Sequence, residues 1–315
     1  SWALRSEASA RVLAMLQMAR SEPTVRVSLA DLDADPDLFN VRNGTIDLKT
    51  GELRPHRRGD MITKCAPVDF DPDAKSDLWE ECLHAITCGD VDLQHYLAKA
   101  VGYALTGHAR EDLVFFLYGK GSNGKTTFMS TVAAMMGDYA GTIHASELID
   151  DRKRNTGHRD AIAALAGKRL VIVSECPERM KLDMGTLKSL TGGDLVSASH
   201  KYGRTFSFKP QFTPFLYGNS KPRVAETDEG TWRRLRLVKF MARFQRGKDA
   251  RHAADLADML ERGSGSERMH ADLCRNLDHA YSYMCALCLN GYGWEVAEVV
   301  EEACQKFERK HAAVG

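Results

Sequence analysis

Neither sign of charge prevails in this chain of 315 residues: Lys+Arg and Asp+Glu both number 43, for a formal net charge of zero. A chain-wide basic surface for nucleic acid is therefore excluded, and any such surface must be local. No apolar run reaches the length of a bilayer span, and no secretory segment opens the chain. Low-complexity tracts and internal repeats are also lacking. The cysteines, Cys65, Cys82, Cys88, Cys176, Cys274, Cys285, Cys288 and Cys304, are scattered through a chain too large to need disulfide staples, so a reducing setting is expected. Only Cys285 and Cys288 form a C-x-x-C. No second pair stands at zinc-site distance, and "YSYMCALCLN" around them reads as an apolar helix with structural thiols. What the chain does have is a 43% hydrophobic content, enough for the cores of two or three domains. Its start, "SWALRSEASA", reads as a cut inside a longer protein.

Three segments differ in rhythm. In residues 1–108 a helix is predicted over 6–20, with Ala8, Val12, Leu13, Leu16 and Ala19 on one side. "FNVRNGTIDLKTGELRPH" then alternates around Asn43-Gly44 and Thr50-Gly51, both hairpin dipeptides, and "MITKCAPVDF" reads as another short strand. Helices near Leu78–Thr87 and Val91–Thr106 follow, so this part reads as a small α+β module with a helical collar. In residues 109–242, apolar strands are expected at Leu113–Tyr118, Arg169–Ser174, Pro214–Gly218 and Leu235–Phe240. Helical stretches separate the earlier ones, which predicts an α/β domain with a mostly parallel sheet. Residues 243–315 read as polar helices, with a soft "ERGSGSER" linker and a last helix at Glu295–His311.

The first candidate strand runs into "GKGSNGKTT", Gly119 to Thr127, the spacing of a phosphate-binding loop between a strand and a helix. Gly119, Gly121, Ser122, Asn123 and Gly124 would wrap phosphates with backbone N–H groups, together with the helix N-terminus. Lys125 would meet the β- and γ-phosphates, Thr126 would ligate Mg²⁺, and Thr127 extends the loop, so ATP and Mg²⁺ are the expected cofactors. Hydrolysis also needs an acid at the end of a neighbouring strand. "KRLVIVSECPE" supplies Glu175, to act on the Mg²⁺ shell or orient water, with Glu178 as the fallback. "TPFLYGN" ends at Asn219, placed to sense the γ-phosphate or hold the water. In "TWRRLRLVKF", alternation would set Arg234 and Arg236 on one face of a strand and Arg233 on the other; an arginine here could serve a neighbouring subunit's site.

Leu195–Ser199 and Thr205–Phe208 read as the arms of a β-hairpin whose tip, "HKYGR", presents His200, Lys201, Tyr202 and Arg204. Cations beside an aromatic ring suit single-stranded nucleic acid: charge for the backbone, a flat face for stacking. Between Ser199 and Arg236 eight Lys/Arg stand against three Asp/Glu, a local excess of +5. In the front module Arg57, Arg58 and Lys64 read as a solvated surface.

"GKGSNGKTTF", "RLVIVSECPE", "LKSLTGGDLVSASHKYGRTFSFKPQF" and "FLYGNSKPRVAETDEGTWRRLRLVKF", in this order, resemble superfamily 3 helicases. More closely, they are similar to the phage and plasmid primase-helicase branch related to poxvirus-type primase-helicases. The front half, with "DPDAKSDLWEECL" and "YLAKAVGYALTG", resembles the domain that precedes these helicases. The resemblance covers roughly residues 35–240. It implies an AAA+ fold, a hexameric ring, and ATP-driven 3′-to-5′ movement on single-stranded or forked DNA. It also implies the cytoplasm of a bacterial host of a phage, plasmid or genomic island; members often carry a primase domain upstream, but this sequence shows no primase motif, so any such domain would lie outside it. It makes His200 and Lys201 channel-lining, Asn219 the first sensor, Arg234 the foremost trans-acting finger with Arg233 second, and Lys188 a further reach toward a neighbouring site. Many members pair two acids at the Walker B position, where this chain has Ser174-Glu175. The division of labour between Glu175 and Glu178 therefore stays open. Two other functions would use the same motifs: a nucleotide-switched ring that melts origins or acts as a scaffold, and a P-loop kinase of a small molecule.

Overall fold

The computed structural model describes residues 9–22, 27–28, 31–148, 158–178, 181–201, 203, 205–224 and 229–244. The expected helices of 245–315, the Cys285–Cys288 pair, Tyr202 and Arg204 lie outside the described residues.

Strand β4 (Val114–Tyr118) shows why the centre folds as it does. Its apolar run is buried on both faces, as a central parallel strand requires. Val114 and Phe116 enter one core cluster, Phe115 and Leu117 the other. Helix α4 (Lys125–Met136) follows, then β5 (Ala140–His144), α5 (His158–Ala163), β6 (Leu170–Cys176), α6 (Met184–Thr191), the hairpin β7 (Val196–Ser199) and β8 (Thr205–Phe208), β9 (Thr213–Gly218), α7 (Glu229–Trp232) and β10 (Leu235–Lys239). The main sheet has five strands in the order β10-β4-β9-β6-β5, every neighbouring pair parallel. The expected α/β domain with a parallel sheet is present. All four strands read from the sequence belong to it, and β5 is the addition. Only Ile143 of β5 is buried, so this edge strand lacks the apolar run that marks the others.

The front module begins with α1 (Ser9–Ala19), none of whose residues is buried; the apolar side expected to pack leaves Val12, Leu13 and Leu16 exposed. Strands β1 (Leu38–Val41), β2 (Gly44–Asp47) and β3 (Glu52–Arg54) form an antiparallel sheet, as the turn dipeptides predicted. "MITKCAPVDF" is not a strand. It bonds β1 and its turn twice, Ala66 N to Asn40 O and Arg42 N to Val68 O, and Pro67 has no N–H to continue a ladder. Helices α2 (Asp77–Ile86) and α3 (Val91–Leu105) are capped by Ser76 and Asp90, whose side chains accept from Trp79 N and Leu93 N. Phe39, Trp79, Leu97, Phe128 and Phe215 share one core cluster, so it runs from the front sheet through the collar to the P-loop helix and the main sheet.

Arg169 locks this junction, which nothing in its sequence context announced. It is 4% exposed and donates to three carbonyls: Leu105 at 2.7 Å, Leu38 at 2.6 Å and Asp35 at 3.3 Å. Its guanidinium lies 4.9 Å from the Tyr139 ring centroid. Nearby, Asp37 accepts from Lys49 Nζ at 2.8 Å and faces His108 Nε2 at 2.7 Å. Burial alone would raise the Asp37 pKa, but the hydrogen bonds and charges of Lys49 and His108 outweigh it and leave the carboxyl below its ordinary value. A lowered folded-state pKa gives stability that is present above the unfolded pKa and lost as pH falls through the folded one. Asp37→Asn is therefore expected to destabilise the protein at pH 7 and to weaken the acid dependence below about pH 4. Urea unfolding at both pH values checks this.

Candidate nucleotide site

The sheet's carboxyl ends carry the candidate site. The loop leaves β4 at Gly119 and enters α4 at Lys125. Gly124 has φ 84°, and a Cβ there would lie 2.5 Å from Ile86 Cγ1. A Cβ on Gly119 would collide with the carbonyl oxygen of Phe240. Both glycines are required by backbone and packing, whereas Gly121 faces open space. Gly124→Ala is expected to cost about 1–3 kcal/mol and to lower the thermal midpoint, with Ile86→Ala restoring only the steric part of the loss.

The loop is pinned to the segment beyond β10: Asn123 Nδ2 donates to Phe240 O at 3.3 Å and Phe244 N to Ser122 O at 2.8 Å. Asn123, 2% exposed, also accepts from Lys125 Nζ at 2.8 Å, and the same ammonium donates to Gly119 O at 2.8 Å. Lys125 is 5% exposed, and burial lowers its pKa. No side chain caps the start of α4, so its first N–H groups remain available.

Around this loop lies a cavity of about 520 Å³. Gly121 to Thr127 form one wall; Cys176 at the end of β6 and Pro177 and Glu178 beyond it, with Tyr217, Gly218 and Asn219 at the end of β9, form the rest. This is the crevice at the carboxyl ends of a parallel sheet where ligands bind. The structure thus brings together the loop, Lys125, Thr126, Thr127, Glu178 and Asn219. Glu175 lies in β6, and its side chain is outside the described residues. Between Val173 and Cys176 the register of β6 on β9 slips by one residue, a bulge at Ser174-Glu175 that sequence periodicity did not reveal. Cys176 is a lining residue that sequence reasoning missed; burial pushes its thiol up to about 11, so it stays protonated and unreactive.

Other candidates lie elsewhere. The hairpin pairs as predicted, from Val196↔Phe208 to Ser199↔Thr205. Its tip is held against α5: Lys201 N donates to Asp160 Oδ1 at 3.0 Å, and His200 Nδ1 lies 3.5 Å from the same oxygen. The arginines stand at the amino end of β10, opposite the loop, because β10 runs parallel to β4. Arg234 stands just before the strand, and its carbonyl accepts from Val114 N of β4. It donates to Gly230 O and to Asp112 Oδ2, each at 2.7 Å, and its side chain is 11% exposed. Arg233, 64% exposed and 3.6 Å from Asp112, is the one that faces outward. Internal bonding therefore engages Arg234 and leaves Arg233 the more exposed of the two.

Fold and site together define a P-loop α/β domain with a collar in front of it. Residues 1–88 match the family described as D5 N terminal like, and residues 117–234 match a family of unknown function, DUF5906. A "Putative helicase" of Acanthamoeba polyphaga mimivirus is 28% identical over 82% of this chain and 27% of its own length. A "Putative helicase" of Frog virus 3 is 25% identical over 68% of this chain and 29% of its own length. A "Putative primase" of African swine fever virus is 26% identical over 71% of this chain and 24% of its own length. Among solved structures, the A form apo structure of the NrS-1 C terminal region aligns over 76% of this chain and 52% of its own, with TM-score 0.51 and 11% identity. That likeness is one of fold. These matches make the chain similar to D5-like primase-helicases. It spans about a quarter of the length of these viral relatives. Among the described residues no helix is long and apolar enough to cross a membrane.

Proposed function

We propose that this chain is the ATP-driven motor of a superfamily 3 primase-helicase, acting as a hexameric ring that moves 3′-to-5′ on single-stranded DNA. The observation that carries the reading is the cavity where buried Lys125, the uncapped start of α4, Glu178 and Asn219 converge. Its donors fit a nucleoside triphosphate: an ammonium, backbone N–H groups and the Thr126 hydroxyl, with a glycine where a Cβ would collide. Thr126 and Glu175 would hold Mg²⁺, which would supply charge neutralisation at the phosphates.

Lys125 gives up Gly119 O and Asn123 Oδ1 to neutralise the β- and γ-phosphates. Glu175 or Glu178 orients the attacking water, and Asn219 holds it in place. Arg233 of a neighbouring subunit stabilises charge on the transferring group, while Arg234 supports it through their shared Asp112. Arg233→Ala is expected to keep the fold and lose roughly 10³-fold in hydrolysis. Mixing it with Lys125→Ala subunits restores part of the activity if the arginine acts across an interface. No recovery would place Arg233 outside the site.

His200, Lys201, Tyr202 and Arg204 grip the phosphates of one strand without reading sequence. Strand displacement on forks with a 3′ or a 5′ loading tail tests the motor reading. Displacement from the 3′ tail alone, slowed by Lys201→Ala, is expected; failure on both forks with active hydrolysis would favour an origin-melting or scaffold ring.

A further inference from the structure

A second cavity, of about 410 Å³, opens in the front module between the β1–β2 sheet and residues 56–63. His56, Arg57 and Arg58 line it in succession, with Asn40, Thr45 and Thr63, and its wall holds no carboxylate. Arg57 and Arg58 are exposed, and among the described residues neither guanidinium has a hydrogen-bond or ion-pair partner. The acids of this segment are already engaged. Arg54 takes both oxygens of Asp60 at 2.9 Å, although the charge of Arg57 also acts on that carboxylate. Asp33 accepts from Thr63 N at 2.7 Å and lies 3.6 Å from Lys64.

The wall is built rather than incidental. Thr45, 1% exposed, donates its hydroxyl to Asn40 Oδ1 at 2.6 Å. With that proton committed, His56 Nδ1, 3.3 Å from the same hydroxyl oxygen, stands as a donor. His56 Nε2 faces the Arg42 carbonyl at 3.4 Å. Both ring nitrogens thus face oxygens of the wall, which fixes the ring beside Arg57. Asn40 is tied to the ATPase side, since its N–H donates to Tyr139 Oη at 3.0 Å, just after α4.

We propose that this cavity binds phosphate, presented by the backbone of single-stranded nucleic acid, and gives the front module a nucleic-acid contact of its own. Adjacent guanidinium groups suit phosphate oxygens, and unpaired cations release counterions when they meet a polyanion. The lining carries no Phe, Tyr or Trp on which to stack a base, so the contact holds the backbone without reading sequence.

The test uses the full chain carrying Lys125→Ala, so that neither the P-loop lysine nor hydrolysis enters the result. Anisotropy of a labelled oligothymidylate is measured across salt concentrations for this parent and for Arg57→Gln/Arg58→Gln added to it. Binding by the glutamine pair is expected to be roughly tenfold weaker, with the log–log salt slope smaller by about 1.4, near 0.7 for each lost contact. The thermal midpoint should not move, and Arg57→Lys/Arg58→Lys should recover most of the affinity. A parallel titration with pyrophosphate identifies the source. Loss of pyrophosphate binding with oligothymidylate binding intact would overturn the nucleic-acid contact and assign the cavity to a free phosphate or nucleotide instead. Unchanged binding of both probes would overturn the proposal. Because the parent lacks the P-loop lysine, failure of the ATPase reading leaves this outcome legible.

Discussion

Lys125→Ala is expected to lower ATP hydrolysis by roughly 10³-fold, the scale seen when one preorganised charge is removed from a reacting site. The ammonium is buried and held inside the loop by Gly119 O and Asn123 Oδ1, beside the cavity it would serve. Burial also lowers its pKa, so an anion in the cavity would favour the charged form. Removing it leaves two acceptors inside the loop without their donor, but Phe240 O and Phe244 N still pin the loop. The thermal midpoint without nucleotide should therefore fall only slightly, while the stabilisation by added ATP disappears. A steady-state hydrolysis assay and thermal melts with and without ATP check both halves. Retained hydrolysis would remove Lys125 from the site.

Arg169→Ala is expected to destabilise the protein by about 3–5 kcal/mol, the range for breaking a buried charged network from one side. Three carbonyls, from Asp35, Leu38 and Leu105, lose their donor together in a buried position. The Tyr139 ring loses the cation against it. For a protein of this size the midpoint should drop by roughly 10 °C. Arg169→Lys should recover little, because one ammonium does not reproduce a planar fork that reaches separate carbonyls. Urea and thermal unfolding measure this, and a loss under about 1 kcal/mol would show that the junction is held by apolar packing alone.

How much of this was legible in the chain depends on the kind of signal. The phosphate loop could be read because its glycines answer to local needs, a positive φ at Gly124 and a close carbonyl at Gly119. Strands buried on both faces declared themselves as apolar runs, and the hairpin by its turn. Edge strand β5 did not, since one buried isoleucine leaves no pattern. "MITKCAPVDF" carried strand-like residues, but Pro67 and tertiary bonds to β1 overrode them. The surroundings of the arginines were not legible, because Arg233 and Arg234 stand just before the strand. Arg233 and Arg234 are sorted by Asp112 and Gly230, partners distant or irregular in sequence. Arg169 was invisible for the same reason: its acceptors lie between 64 and 134 residues away.

The central claim is that the cavity at the end of β4 hydrolyses ATP in response to DNA. The direct measurement is the hydrolysis rate of the chain with and without single-stranded DNA, alongside Lys125→Ala. Hydrolysis that DNA stimulates several-fold and that the substitution abolishes is the predicted result. Hydrolysis indifferent to DNA at ring-forming protein concentrations would contradict it and favour an enzyme that phosphorylates a small molecule.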